Sequence, residues 1–351
     1  MGRLQRFIES QIPGVHVHSV MVGESPAADT MHGFLGNVND QVEEACAALA
    51  ADTKLAGGFN AVGFSQGGQF LRAVVQRCGG GGGGGGGGGV GGGVGGEVGG
   101  RGDGRGGARS AGSASLAAPS GGLKVKRLIT MGGQHQGVAS IPGCDTFSGT
   151  AGSSLFCKAA EAAVTTAVYS RYTRSSVVQA QYFKDPARIS QYLEYNPFLP
   201  DVNNEKEVKN EAYKTNLAAL EELVLIRFTN DTVVVPRDSA WFSTYAPGAG
   251  TGRVVPLREQ QMYTEDWLGL RALDDKGALT MSDCPGNHMQ FSDEWFKENV
   301  IDKYLRDDDS VGGGKMGGER GEGGAEGSTL AWGVEGDAGW EGEVAAAATE
   351  R

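Results

Sequence analysis

The chain has 351 residues, 60 of them glycine, and a formal charge of -11 at pH 7. No run of about 18 apolar residues occurs, so no membrane-spanning helix is expected. No cluster of Lys and Arg marks a fold element as a nucleic-acid surface, so no nucleic-acid partner is expected either. The acidity says little about partners, because residues 307–351 carry 11 acidic and 3 basic side chains and the rest is near neutral.

Two segments offer too little apolar surface to offset the entropy of ordering them. Residues 79–122 run from an almost unbroken glycine tract into Arg/Gly/Ser/Ala sequence, and residues 307–351 are rich in Gly, Glu and Ala. Both are expected to be disordered, so that replacing the first or ending the chain after Arg306 would leave the melting temperature nearly unchanged. Setting them aside leaves 1–78 and 123–306, about 260 residues, enough for one α/β domain with a full core.

Leu4, Phe7, Ile8 and Gln11 share one face of an N-terminal helix, which Pro13-Gly14 stops. Val15 to Val22 reads as a buried strand. Val38, Val42, Ala45, Cys46 and Leu49 mark an amphipathic helix. A short strand, Phe59 to Phe64, leads into a helix from Gln66 to about Gln76. Val125 to Met131 is another strand, followed by Gly132-Gly133. Residues 151–222 are mainly helical in pattern and broken at Pro186, Pro197 and Pro200, which reads as a cap over the sheet edge. Leu223 to Thr229 is a clean strand, Val254-Val255 starts another, and a last helix runs from about Ser292 to Leu305. Strands alternating with helices predict a mainly parallel sheet covered on both faces.

Gly63-Phe64-Ser65-Gln66-Gly67 fits G-x-S-x-G between a predicted strand and a predicted helix. Glycines flank the serine because the chain must turn too sharply for side chains there. The turn exposes the serine hydroxyl at a helix N-terminus, where the Gln66 backbone N–H can face an oxyanion. The motif in this setting predicts an α/β-hydrolase fold with Ser65 as nucleophile.

A nucleophilic serine needs a base, which in this fold follows an acid that itself follows the serine. His16, His18 and His32 precede Ser65. Between Ser65 and His135 the acids are Glu97 and Asp103, both within the glycine insert. His288 remains, in a loop before the last helix. The acid should follow a strand, and Asp231 lies directly after the 223–229 strand. Asp238 is the runner-up, and Asp201 and Asp266 are less well placed. Acyl transfer by such a set calls for no metal or cofactor. No C-x-x-C occurs among the five cysteines, which argues against a zinc site.

Gly63-Phe-Ser-Gln-Gly-Gly-Gln-Phe-Leu-Arg72 resembles the nucleophile segment of the palmitoyl-protein thioesterases, specifically the lysosomal first type. The likeness continues through Gly132–Gly137, Val178–Tyr182, Asp185-Pro186, Asn230-Asp-Thr232, Tyr263–Leu270 and Glu294–Phe296. It implies Ser65, Asp231 and His288 as the triad, a fatty-acyl tunnel beneath the cap, S-palmitoylated proteins as substrates, and a lysosomal or secretory location. It also implies disulfides Cys46–Cys78 and Cys144–Cys157, a free Cys284, and a glycan on Asn230 of the N-D-T sequon. A signal peptide, a first strand and a His-Gly loop giving the second oxyanion amide would precede the helix at 2–11. Without them one sheet edge would be exposed, Leu4 and Phe7 poorly covered, and catalysis impaired. The triad itself suits a lipase or an acyl-CoA thioesterase equally well.

Overall fold

The computed structural model describes residues 2–21, 36–80, 122–139, 178–248, 252–306 and 344–349. Helix α1 (Gly2–Gln11) turns at Gly14 into strand β1 (Val15–Ser19). Helix α2 (Val38–Ala51), capped by the Asn37 side chain, leads to β2 (Phe59–Phe64) and helix α3 (Gln66–Cys78). Strand β3 (Val125–Met131) follows, then short helices α4 (Ile189–Tyr195), α5 (Leu199–Val202) and α6 (Glu211–Ala218). Next come β4 (Glu222–Phe228), a small pair β5 (Thr244–Tyr245) and β6 (Val254–Val255), and helices α7 (Gln261–Thr264) and α8 (Leu270–Asp275). Strand β7 (Leu279–Cys284) precedes a final helix that is α-helical over Asp293–Phe296 and π-helical over Lys297–Leu305, and β8 (Val344–Thr349) ends the described chain.

The main sheet has the order β1-β8-β2-β3-β4-β7. Strands β2, β3, β4 and β7 pair in parallel, while β8 lies antiparallel to both β1 and β2. Alternation along each strand divides two cores, as a period of two requires. Ala61, Leu128, Leu223 and Leu225 face α2, α3 and the cap. Val62, Phe64, Ile129, Met131, Val224, Ile226 and Phe228 face Ile8 of α1 and Phe296, Val300 and Ile301 of the last helix. A largely parallel sheet with helices on both faces is the α/β-hydrolase arrangement expected from the motif.

Four expectations change. Strand β7 has no clear signal in Leu-Thr-Met-Ser-Asp-Cys, because it ends the sheet and only its first and last residues are buried. The Val254-Val255 strand pairs with Thr244-Tyr245 outside the main sheet. Within the tail read as disordered, Val344–Thr349 forms β8 between β1 and β2. That short uncharged run occupies the gap, since the facing edges of β1 and β2 hold backbone groups that need partners. Leu4 and Phe7 are half-buried against the second core rather than uncovered. The rest of the tail and most of the glycine insert lie outside the described residues.

The ends of that insert are held together. The Leu123 N–H donates to the Cys78 carbonyl at 2.7 Å and the Gly80 N–H to the Leu123 carbonyl at 3.0 Å. Replacing 81–121 with a few Gly/Ser residues is therefore expected to shift the melting temperature by no more than about 2 °C, since closure entropy varies slowly with loop length. Deleting 340–351 has the opposite expectation. It strips both neighbours of β8, and a loss of about 2 kcal/mol lowers the melting temperature of a domain this size by roughly 4–8 °C. Thermal unfolding of the two variants beside the full chain checks both.

Candidate active site

Ser65 sits between β2 and α3 with φ 50° and ψ -124°, a backbone conformation that non-glycine residues rarely adopt. Its N–H donates to the Met131 carbonyl at 2.8 Å, and its own carbonyl accepts from the Gly68 N–H at 3.0 Å. The turn is tight enough that a Cβ on Gly63 would lie 2.5 Å from the Gly67 carbonyl oxygen. A Cβ on Gly68 would meet Gly133 Cα and Thr130 Cβ at 3.1 Å, so α3 packs directly on the end of β3. Gln66 opens α3 at the positive end of the helix dipole, as an oxyanion-binding amide requires.

The loop after β7 carries His288. Its Nε2 lies 2.9 Å from Ser65 Oγ and its Nδ1 lies 2.7 Å from Asp231 Oδ2. The ring packs edge-on against Phe228 at 5.7 Å between centroids. Asp231 follows β4 with its side chain 1% exposed, and its Oδ1 accepts the N–H groups of Val233 and Val234, both at 2.9 Å. One carboxylate oxygen is thus fixed by backbone and the other is aimed at His288. The structure brings Ser65, His288 and Asp231 into one hydrogen-bonded line.

The competing acids are engaged elsewhere. Asp238 pairs with Arg227, which also holds Asp283 and lies over the Trp241 ring at 3.6 Å. Asp201 binds Arg77 at 2.9 Å and accepts from the Tyr213 hydroxyl. Asp266 accepts the Arg271 N–H and lies 3.3 Å from Lys214. His135 is fully buried, bonded through Nε2 to Thr130 Oγ1 at 3.0 Å and stacked on Phe242, and burial beside Arg72 holds it well below the usual imidazole range.

The profile of a family described as "Palmitoyl protein thioesterase" matches residues 1–82 and 112–288, more than half of the chain. The chain is 35% identical to palmitoyl-protein thioesterase 1 of Caenorhabditis elegans over 305 residues, covering 87% of this chain and 86% of that protein. It is 35% identical to palmitoyl-protein thioesterase 3 of Dictyostelium discoideum over 80% of this chain and 76% of that one. The chain belongs to the palmitoyl protein thioesterase family. A shorter match, 37% over 35% of this chain and 43% of the other, joins it to a protein of Xenopus laevis named a lysosomal thioesterase.

Two of the segments that carry the resemblance reach the site. Gln134, from Gly132–Gly137, donates through Nε2 to Ser65 Oγ at 3.3 Å from a fully buried position. It was not among the expected site residues. Its sequence signal is only its place just beyond β3, at the sheet edge that holds Ser65 and Asp231. Tyr182, from Val178–Tyr182, donates its hydroxyl to Gln66 Oε1 at 2.8 Å and ties the cap to the start of α3. Among the described residues the cap consists of short helical pieces over 178–218; its part over 151–177, and with it the fatty-acyl tunnel that the resemblance implies, lies outside them.

Cys46 and Cys78 form a disulfide between α2 and the end of α3, as the resemblance implies. Cys144 and Cys157 lie outside the described residues. Cys284 is free and buried, and burial with the neighbouring Asp283 charge pushes its thiol up to about 12, which leaves it unreactive. Asn230 is exposed in the turn before Asp231, its N–H bonded to the Gly286 carbonyl. No helix among the described residues is long and apolar enough to cross a membrane.

Proposed function

We propose that this chain hydrolyses long-chain fatty-acyl thioesters, with S-palmitoylated proteins as its substrates, and that Ser65, His288 and Asp231 act as its catalytic triad. The observation that carries the proposal is the hydrogen-bonded bridge made by His288 between Ser65 Oγ and the buried Asp231 carboxylate, at 2.9 and 2.7 Å. Membership of the palmitoyl protein thioesterase family supplies the substrate class.

In the first half-reaction His288 Nε2 takes the Ser65 proton as the oxygen attacks the thioester carbonyl. The Gln66 backbone N–H supports the oxyanion from the helix N-terminus. Asp231 keeps the imidazole in the tautomer with Nδ1 protonated and stabilises the imidazolium that forms. Collapse expels the cysteine sulfur, which departs readily because a thiol is far more acidic than an alcohol, and His288 returns its proton. Water, activated by the same base, then cleaves the acyl-serine. Gln134, within reach of the Ser65 hydroxyl, holds the nucleophile in place before attack.

The Cys46–Cys78 disulfide and the names of the lysosomal relatives support an oxidising secretory or lysosomal location, where Asn230 would carry its glycan. Comparing kcat/KM on a palmitoyl thioester and a palmitoyl oxyester with the same acyl chain tests the substrate assignment. The proposal expects the thioester to be preferred by at least about tenfold, a difference of about 1.4 kcal/mol in the transition state. Equal or better turnover of the oxyester would point to a lipase on the same scaffold.

A further inference from the structure

A second cluster of chemically active side chains lies away from Ser65. His16 and His18 alternate on β1, so both rings leave the same face of the strand, the one turned toward α2. Val17 between them is buried in the opposite core, which fixes the rotation of the strand. Asp52, the residue that ends α2 and caps the following turn, points back at both rings. His16 Nε2 lies 2.7 Å and His18 Nδ1 2.8 Å from the same oxygen, Asp52 Oδ2. The other oxygen, Oδ1, accepts the Lys54 N–H at 3.1 Å and anchors the carboxylate.

We propose that His16, His18 and Asp52 form a binding site for a divalent transition-metal ion of the zinc class. The three donor atoms lie within 4.8 Å of one another, close enough for one ion to touch all of them. Tetrahedral zinc with bonds of about 2.0–2.1 Å needs its ligand atoms about 3.3 Å apart, so each N···O pair has to open by roughly half an ångström and the two nitrogens, within 4.8 Å of each other, have to settle at the same spacing. Both histidines now share one carboxylate oxygen, and an ion entering between them would replace two N–H bonds with two N–metal bonds. For neutral rings this needs only a tautomer shift, the proton moving to His16 Nδ1 and His18 Nε2. The site is half-buried, with side chains 26%, 23% and 17% exposed, which leaves a side open to water as fourth ligand. Imidazole and carboxylate donors without a thiolate favour Zn²⁺, Co²⁺, Ni²⁺ or Cu²⁺ over Cu⁺ or Mg²⁺.

Through β8, Val17 is level with Asn60 and His18 with Ala61 at the start of β2. That places the cluster about 13–20 Å down the sheet from Ser65, four to six residues at the rise of a strand. The ion would therefore take no part in acyl transfer. Its effect would be to fasten the edge strand β1 to the end of α2.

The test is titration of the chelator-treated full chain with Co²⁺, read by visible absorption, and then with Zn²⁺. The expected result is one equivalent of Co²⁺ with the intense bands of a four-coordinate site, displaced by Zn²⁺. His18→Gln and Asp52→Asn should each weaken binding by at least about 100-fold, since even residues that only support a ligand are worth about 10–100-fold. Should a variant fail to fold, the ring resonances of the unaltered chain decide the matter: those of His16 and His18 shift on Zn²⁺ addition. Absence of the bands, equal binding by the two variants, or shifts confined to other histidines would overturn the assignment and leave a hydrogen-bonded His-Asp-His cluster.

Discussion

Ser65→Ala and His288→Ala are each expected to lower kcat on a palmitoyl thioester by on the order of 10⁶, and the double substitution by no more than either alone. The two groups act as a unit: without Ser65 Oγ there is nothing for His288 Nε2 to deprotonate, and without His288 the hydroxyl at 2.9 Å stays protonated. Asp231→Asn is expected to cost about 10⁴, because an amide in place of the carboxylate favours the wrong imidazole tautomer. Asp238→Asn should leave the rate close to that of the unaltered chain, since its carboxylate serves Arg227 rather than His288. Single-turnover kinetics on folded variants separates these cases. A near-normal rate for Asp231→Asn beside a crippled Asp238→Asn would reverse the assignment of the acid.

Arg72→Met is expected to cost about 2–6 kcal/mol of stability, because it takes the donor from two buried side-chain acceptors at about 1–3 kcal/mol each. The guanidinium is completely buried, and burial lowers its pKa to about 9. It donates to the carbonyls of Val202 and His135 and to the side chains of Asn203 and Gln76, and it lies 5.0 Å from the centre of the Phe242 ring. One side chain thus bolts α3 to the loop after β3 and to the cap beyond α5. Methionine fills much of the volume and leaves the side-chain oxygens of Gln76 and Asn203 without a donor, which is where the cost arises, while the Val202 and His135 carbonyls keep Gln76 Nε2 and Asn203 Nδ2. Lysine keeps the charge but cannot span the same fork, so Arg72→Lys should recover little. Urea unfolding measures both; an unchanged midpoint for Arg72→Met would show that the network contributes nothing net.

The proposed nucleophile was legible because its chemistry is local. Strand, sharp turn and helix all lie within Phe59–Cys78, and the glycines that allow the turn, Gly63 and Gly67, lie two residues to either side of Ser65. His288 followed by elimination among five histidines. The acid was harder, since Asp231 and Asp238 both follow β4 and position alone left them open. What separates them is Arg227, whose side chain claims Asp238, together with the Val233 and Val234 amides that hold Asp231 toward His288.

Strand β8 was beyond reach for a different reason. Val-Ala-Ala-Ala-Ala-Thr inside a Gly/Glu-rich tail has no strand signal of its own, and what selects it is the gap between β1 and β2, far away in sequence. Local propensity is a weak guide where the partner strand decides. Gln134 escaped likewise, because a glutamine beyond a strand has meaning only once Ser65 is placed beside it.

The central claim, that Ser65 carries the acyl group through hydrolysis, is tested most directly by trapping the intermediate. The chain is mixed with excess palmitoyl thioester, quenched in acid within the first turnover, digested and examined by mass spectrometry. The account predicts one palmitoyl group on the peptide that holds Ser65, accumulating before steady state and absent from Ser65→Ala. Steady hydrolysis with no acyl group on Ser65, or with the acyl group on another residue, would contradict it.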